Sequence, residues 1–269
     1  MSTVIAPTAV ATTAVALGRG LQDNPVLVGG TGSPLVYLHG LSGQAWDGLL
    51  EGLSREHRVY APAFAGADEP DELKAFDTVH DLVVYLDDVI RGLGLDTFDL
   101  VGHSFGGMLA AEYAALFPER VRKLVLIDPL GLWRDDAPVT DFIYVTPDRQ
   151  AELILGEADS DAARKLLALP DEITAKNREI VRRITSMASV LHFIWPIPER
   201  GLAKRLHRIA APTQLLWGEQ DKIVPCAYAR DFASAIRTSE IEIVPGASHT
   251  PQFNDPAAVL DRIQRFLAP

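Results

Sequence analysis

Ser104, His249 and Asp221 are the residue types that nucleophilic acyl transfer requires. A serine hydroxyl attacks poorly alone. It needs a base to take its proton, and the base needs an acid to fix its tautomer. Ser104 is the middle of Gly102-His103-Ser104-Phe105-Gly106, between the apolar run Phe98-Asp99-Leu100-Val101 and an Ala-rich stretch. That order reads as a strand, a tight turn and a helix. The turn strains its central residue, and glycines two before and two after remove the clashes, with Gly107 relieving the next position. The hydroxyl is then held clear of the fold, where the N-terminus of the following helix points N–H groups and a positive dipole end.

His249 is the best base. It lies in Pro245-Gly246-Ala247-Ser248-His249-Thr250, after the last strand signal and before the last helix signal. Asp221 is the best acid, in Trp217-Gly218-Glu219-Gln220-Asp221-Lys222-Ile223-Val224-Pro225, after the preceding strand. Glu219 is its nearby rival. Asp128, after the strand ending at Ile127, is another possible acid or the organiser of the turn at Pro129. Loops that follow the strands of a parallel sheet gather at its carboxyl edge, so the three residues are expected to converge there. The developing oxyanion needs two N–H donors: that of Phe105, directly after the serine, and that of Leu41 in His39-Gly40-Leu41-Ser42-Gly43. His39 reads as a support of that loop and His103 as a flank of the serine turn.

The elements that must position these residues alternate. Strand signals fall at Val15–Leu17, Val26–Val28, Pro34–His39, Arg58–Ala61, Phe98–Val101, Val121–Ile127, Thr213–Trp217 and Glu240–Val244. The first two form an antiparallel opening pair, and the others imply a mostly parallel eight-stranded sheet with helices on both faces. Helix signals fall at Gln44–Ser54, Thr78–Leu93, Met108–Phe117 and Pro256–Leu267, and another helix starts near Cys226. Residues 132 to 205 break the rhythm with helix-like pieces at Arg149–Leu155, Ala162–Leu169 and Glu172–Phe193, punctuated by prolines. The expected organisation is an α/β core, residues 1–131 and 206–269, with a helical cap insertion at 132–205. Within that insertion Trp133, Phe142, Tyr144, His192, Phe193 and Trp195 are candidates to line an acyl or alcohol pocket; the core of a small helical layer is the other use for them.

Composition removes other classes. The chain has 269 residues, 48% hydrophobic and 23% charged, enough for a substantial core. A net charge of -11 opposes binding to nucleic acid or an anionic membrane. One cysteine, Cys226, rules out an intrachain disulfide and reads as a packing residue. Met1–Leu17 carry no basic segment before their apolar residues, and Pro7 interrupts these, so the stretch does not read as a leader. No apolar stretch reaches the ~18 residues a bilayer requires. A soluble cytoplasmic protein is expected. His57, His80, His192 and His207 show no metal-ligand spacing and no phosphate-binding glycine loop occurs, so no metal and no cofactor is expected.

Taken together, His39-Gly40, the turn around Ser104, Trp217-Gly218 with Asp221 and Pro225, and Gly246 with His249 resemble the α/β-hydrolase superfamily, in its cap-bearing branch of bacterial serine esterases. The resemblance runs through essentially the whole chain. It implies a Ser104–His249–Asp221 triad, an acyl-enzyme, and a small-molecule carboxylic ester as substrate. Look-alikes in the branch also cleave lactones or C–C bonds, act as cofactor-free perhydrolases, or bind small molecules without catalysis. Dehalogenases and epoxide hydrolases of the superfamily carry aspartate where Ser104 stands. The C–C hydrolases carry a Ser-Gly-Pro-Gly-like oxyanion loop and a Trp soon after the histidine, where this chain has Leu41-Ser42-Gly43 and Thr250-Pro251. At Ala61–Asp68 an aspartate and a glycine usual in the superfamily are missing, which implies a differently built loop at the pocket's edge.

Overall fold

The computed structural model describes residues 8–67, 69–156, 168–197 and 199–269. Its centre is an eight-stranded sheet: β1 (Val10–Val15), β2 (Asn24–Gly29), β3 (Ser33–Leu38), β4 (His57–Ala61), β5 (Phe98–His103), β6 (Val121–Ile127), β7 (Thr213–Gly218) and β8 (Ser239–Val244). The order is β1-β2-β4-β3-β5-β6-β7-β8, antiparallel at β1–β2 and β2–β4 and parallel elsewhere.

The central residues of the inner parallel strands are apolar because both of their faces are covered. Val36 and Leu38 of β3 enter one core while Leu35 and Tyr37 enter the other; Leu124 and Leu126 of β6 are split in the same way from Val125 and Ile127. The first core takes α2 (Val79–Gly92), α3 (Phe105–Leu116) and α6 (Tyr228–Ala235); the second takes α1 (Gly48–Leu53) and α8 (Pro256–Leu267). Thr78 and Asp81 start α2 with a reciprocal capping box. Pro256 and the Asp255 cap start α8, which buries Val259, Ile263 and Leu267 at four-residue spacing.

Register places the site. Leu38 pairs with Gly102, His103 with Ile127, Ile127 with Leu216, and Gly218 with Val244. The carboxyl ends of β3, β5, β6, β7 and β8 therefore end at one edge, and the loops carrying His39, Ser104, Asp128, Asp221 and His249 leave the sheet side by side.

Two expectations need correction. The opening strand is Val10–Val15, not Val15–Leu17; residues 10–14 are exposed, so no burial rhythm marks it, and the backbone ladder with β2 defines it. The helix expected from Gln44 starts at Gly48, because the Gln44 amide is tied to the carbonyls of Pro25 and Ala61 and Asp47 caps the Leu50 N–H. A 3₁₀ turn at Pro70–Ala75 had no periodic signal. Of the helix expected at Ala162–Leu169, residues 162–167 lie outside the described ones, and Ala168 and Leu169 are not helical.

Between β6 and β7 lie α4 (Pro147–Leu155) and α5 (Ile173–Ile194). Helix α5 meets the strand-end loops: Ser189 donates to the Ala65 carbonyl, His192 to that of Phe76, and Phe193 stacks on Phe105. A short helix, α7 (Pro251–Asn254), follows His249. Among the described residues no helix is long and apolar enough to cross a membrane.

Candidate active site

Ser104 joins β5 to α3 with φ 57° and ψ -117°, in the left-handed half of the map that a side chain resists. Its surroundings hold it there. Its N–H donates to the Ile127 carbonyl, and its own carbonyl accepts from Met108 and Leu130. A Cβ on Gly106 would sit 2.2 Å from the Leu38 carbonyl oxygen, and one on Gly102 would sit 2.3 Å from that of Gly106. Only glycine fits at either position, which is why the two flank the serine.

His249 follows β8 in a loop fixed on several sides. Asn254 Oδ1 accepts from the Ser248 N–H, the Ser248 hydroxyl shares its one hydrogen between Asn254 Oδ1 and the Ile154 carbonyl, and the Thr250 hydroxyl donates to the Ile154 carbonyl. His103 Nε2–H donates to the His249 carbonyl at 2.8 Å. Asp221 sits in the turn after β7, where its Oδ1 accepts the N–H groups of Ile223 at 2.8 Å and Val224 at 3.0 Å. The Trp217 indole locks that turn by donating to the Val224 carbonyl.

These loops bring the three side chains together. His249 Nδ1 lies 2.8 Å from Asp221 Oδ2, and His249 Nε2 lies 2.8 Å from Ser104 Oγ. A carboxylate only accepts, so Nδ1 carries the hydrogen and Nε2 is left bare to accept from the serine. Ser104, His249 and Asp221 are all buried. In that setting the hydrogen-bonded chain is electrostatically stronger than it would be in water.

Burial holds the neighbouring imidazoles neutral. His103 is lowered to about 3, first by desolvation and then by His249. His39 is lowered to about 4, chiefly by desolvation; its Nδ1–H donates to the Gly40 carbonyl and its ring lies on Phe64, 3.9 Å between centroids. Phe64 belongs to the loop that departs from the superfamily pattern, so that loop braces the strand-end loop carrying Leu41. Asp128 is also buried here, with φ 43°, and its Oδ1 accepts the Gly218 N–H at 2.9 Å.

The serine opens onto a cavity of about 580 Å³. Its lining includes Gly40, Leu41 and Gly43 from the loop after β3, Tyr37, Ala45 and Asp47, and Ile154, Thr250, Phe253 and Pro256. As the first residue of α3, Phe105 has an N–H with no acceptor within the helix, and Leu41 lines the cavity onto which Ser104 opens.

The aromatic residues expected to line this space lie elsewhere. Phe142 and Phe193 are core, packed in the larger cluster, and His192 is tied to the Phe76 carbonyl. Trp133, Tyr144 and Trp195 are exposed; Trp133 bonds Asp135, and Tyr144 packs edge-on to Trp195. Ile154 of α4 is the residue of the 132–205 segment that lines the cavity among the described residues. Sequence reasoning weighed only the aromatics of residues 132–205 and missed Tyr37 and Phe253, which lie outside that segment, and Ala45, whose type carries no signal for a pocket.

A sequence profile described as the alpha/beta hydrolase fold matches residues 33–256. The chain belongs to the alpha/beta hydrolase family. This hydrolase is 27% identical, over 89% of its length and 76% of the other's, to an uncharacterized protein of Mycobacterium tuberculosis. It is 26% identical to a 2-hydroxy-6-oxo-2,4-heptadienoate hydrolase of Pseudomonas putida, covering 94% of this chain and 95% of that one. Among solved structures, a bacterial membrane phospholipase A shares the hydrolase's fold at a TM-score of 0.77, with 21% identity over 97% of this chain and 86% of that one.

Proposed function

We propose that the chain is a serine hydrolase that cleaves a carboxylic ester of a small molecule through an acyl-enzyme. The observation that carries this reading is the 2.8 Å contact of Ser104 Oγ with His249 Nε2 beside the cavity. His249 takes the Ser104 proton as Oγ attacks the carbonyl carbon, and Asp221 stabilises the imidazolium that forms. The N–H groups of Phe105 and Leu41 receive the oxyanion, each lowering the barrier by roughly 3 kcal/mol. The adduct collapses, and His249 passes the proton to the departing alcohol. Water, deprotonated by the same imidazole, then attacks the acyl carbon. The acid leaves and Ser104 regains its proton.

In this reading residues 132–205 are a cap. Support comes from α5, where Arg182 donates to the Ser42 carbonyl and Ser186 packs against Gly43, and from Ile154 in the cavity wall. A cytoplasmic setting and a small-molecule substrate complete the proposal.

One observation favours a second reading, C–C bond hydrolysis on the same triad: the Pseudomonas putida relative aligns along nearly the whole of both chains. Leu41-Ser42-Gly43 and Thr250-Pro251 weigh against it, since they stand where those enzymes resemble one another and differ from this chain. A panel of p-nitrophenyl acetate, p-nitrophenyl butyrate and a vinylogous 1,5-diketone separates the two. The ester reading predicts an initial burst of p-nitrophenol and faster ester turnover. A kcat/KM on the diketone more than about tenfold above that on either ester would assign the C–C reaction instead.

A further inference from the structure

Asp128 is a buried acid that the mechanism above does not use. It follows β6 at the sheet edge, and its N–H is fixed to the Leu216 carbonyl of β7. Its carboxyl is wholly enclosed. Oδ1 accepts the Gly218 N–H, and Oδ2 has no donor among the described residues. Polar atoms of Asp128, Asp221 and His249 all lie within 4.8 Å of one another.

Two enclosed carboxylates this close cannot both hold a negative charge. Counting donors decides which keeps it. Asp221 accepts three hydrogen bonds, from the Ile223 and Val224 N–H groups and from His249 Nδ1. Asp128 accepts one. The charge belongs on the better-solvated carboxylate and the proton on the other, where it also fills the orphaned edge of the pair.

We infer that Asp128 is a neutral carboxylic acid at working pH and donates its proton to the carboxylate of Asp221, acting as a positioning residue for the Asp221–His249 pair. Burial, reinforced by the Asp221 charge, raises the Asp128 carboxyl well above the ordinary range. The groups that face it leave the assignment intact. His103 is held neutral by burial, the Cys226 thiol is pushed up chiefly by burial, and Glu219 is engaged by the Gly246 N–H. His249 then works against one net negative charge, that of Asp221, whose carboxylate is held by four donors.

The inference rests on the triad reading for its catalytic consequence, but its first test does not use activity. Infrared difference spectra of the wild type against Asp128→Asn at neutral pH isolate one side chain. A protonated-carboxyl C=O stretch is expected in the wild type and absent from the variant. Its absence from the wild type overturns the inference, whatever the protein hydrolyses.

The second test is the pH profile of kcat/KM on p-nitrophenyl acetate for the wild type, Asp128→Asn and Asp128→Ala. Asparagine is neutral and still donates to Asp221, so the acid limb stays within about 0.3 pH units and kcat within about threefold. Alanine removes the donor, and kcat falls about tenfold or more with KM little changed. If Asp128 were ionised, Asp128→Asn would move the acid limb down by about one unit or more, because a negative charge beside the imidazole would be gone. That result, or an alanine variant as fast as the asparagine one, contradicts the positioning role. Loss of all turnover in Ser104→Ala alongside such a result would overturn this inference alone; unimpaired Ser104→Ala would overturn the triad reading.

Discussion

A Cβ on Gly218 would sit 2.0 Å from the carbonyl oxygen of Ser248, so the loops that carry Asp221 and His249 meet backbone to backbone. Around that contact the Gln220 N–H donates to the Ala247 carbonyl and the Gly246 N–H to Glu219. The 2.8 Å spacing of His249 and Asp221 is a product of this seam. Gly218→Ala forces it open. We expect kcat to fall by about 10²-fold and stability by about 2 kcal/mol, read from turnover and urea denaturation. Wild-type kcat in that variant would show that the seam does not set the geometry.

Further along α3, Glu112 is fully buried and receives a two-pronged hydrogen bond from Arg205, at 2.7 and 2.6 Å. Arg205→Ala leaves that carboxylate enclosed without its counterion. The cost expected is about 3–5 kcal/mol in denaturant unfolding, and the double change Glu112→Gln with Arg205→Met recovers most of it. A single variant within about 1 kcal/mol of wild type would mean that water replaces the arginine.

His39 and His103 make stability depend on pH in a known direction. Their folded values are lowered to about 4 and about 3, so the folded state refuses protons that the unfolded chain accepts. Stability from this source is complete above the unfolded imidazole value, about 6.5, and is lost as pH falls from there toward the folded values. Each residue accounts for up to about 2 kcal/mol by pH ~5. His103→Gln should therefore lose less stability than wild type between pH ~7.5 and ~5, by that amount. Equal losses in the two proteins would contradict the burial of a neutral His103.

The cavity walls predict chain-length selectivity. Ala45 lines the space and Tyr144 points away from it. In p-nitrophenyl ester assays, Ala45→Phe should lower kcat/KM on butyrate or longer esters about tenfold more than on acetate, while Tyr144→Ala changes neither beyond about twofold. The reverse pattern would place the substrate at Tyr144 rather than in this cavity.

Much of the edge geometry could be read before any coordinates, because it rests on residues with few substitutes. Gly102 and Gly106 bracket Ser104 since a Cβ has no room there, and runs such as Leu124–Ile127 are apolar on both faces because both are covered. The pocket was not legible. Large aromatics drew attention in residues 132–205, yet Phe142 and Phe193 fill the core and Trp133, Tyr144 and Trp195 face outward, while the cavity is shaped by where α1 and α7 sit. Strand β1 was displaced because exposed residues carry no period. Asp128 was visible as an acid, but its closeness to Asp221 depends on the β6–β7 register, which local sequence does not encode.

The central claim is that Ser104 is a nucleophile activated by His249. Intact-protein and peptide mass spectrometry after reaction with a fluorophosphonate tests it most directly. The account predicts one phosphonyl adduct, carried by the peptide containing Ser104, lost in Ser104→Ala and slowed about 10³-fold or more in His249→Ala. An adduct on another residue, or none on a folded wild-type protein, would contradict it.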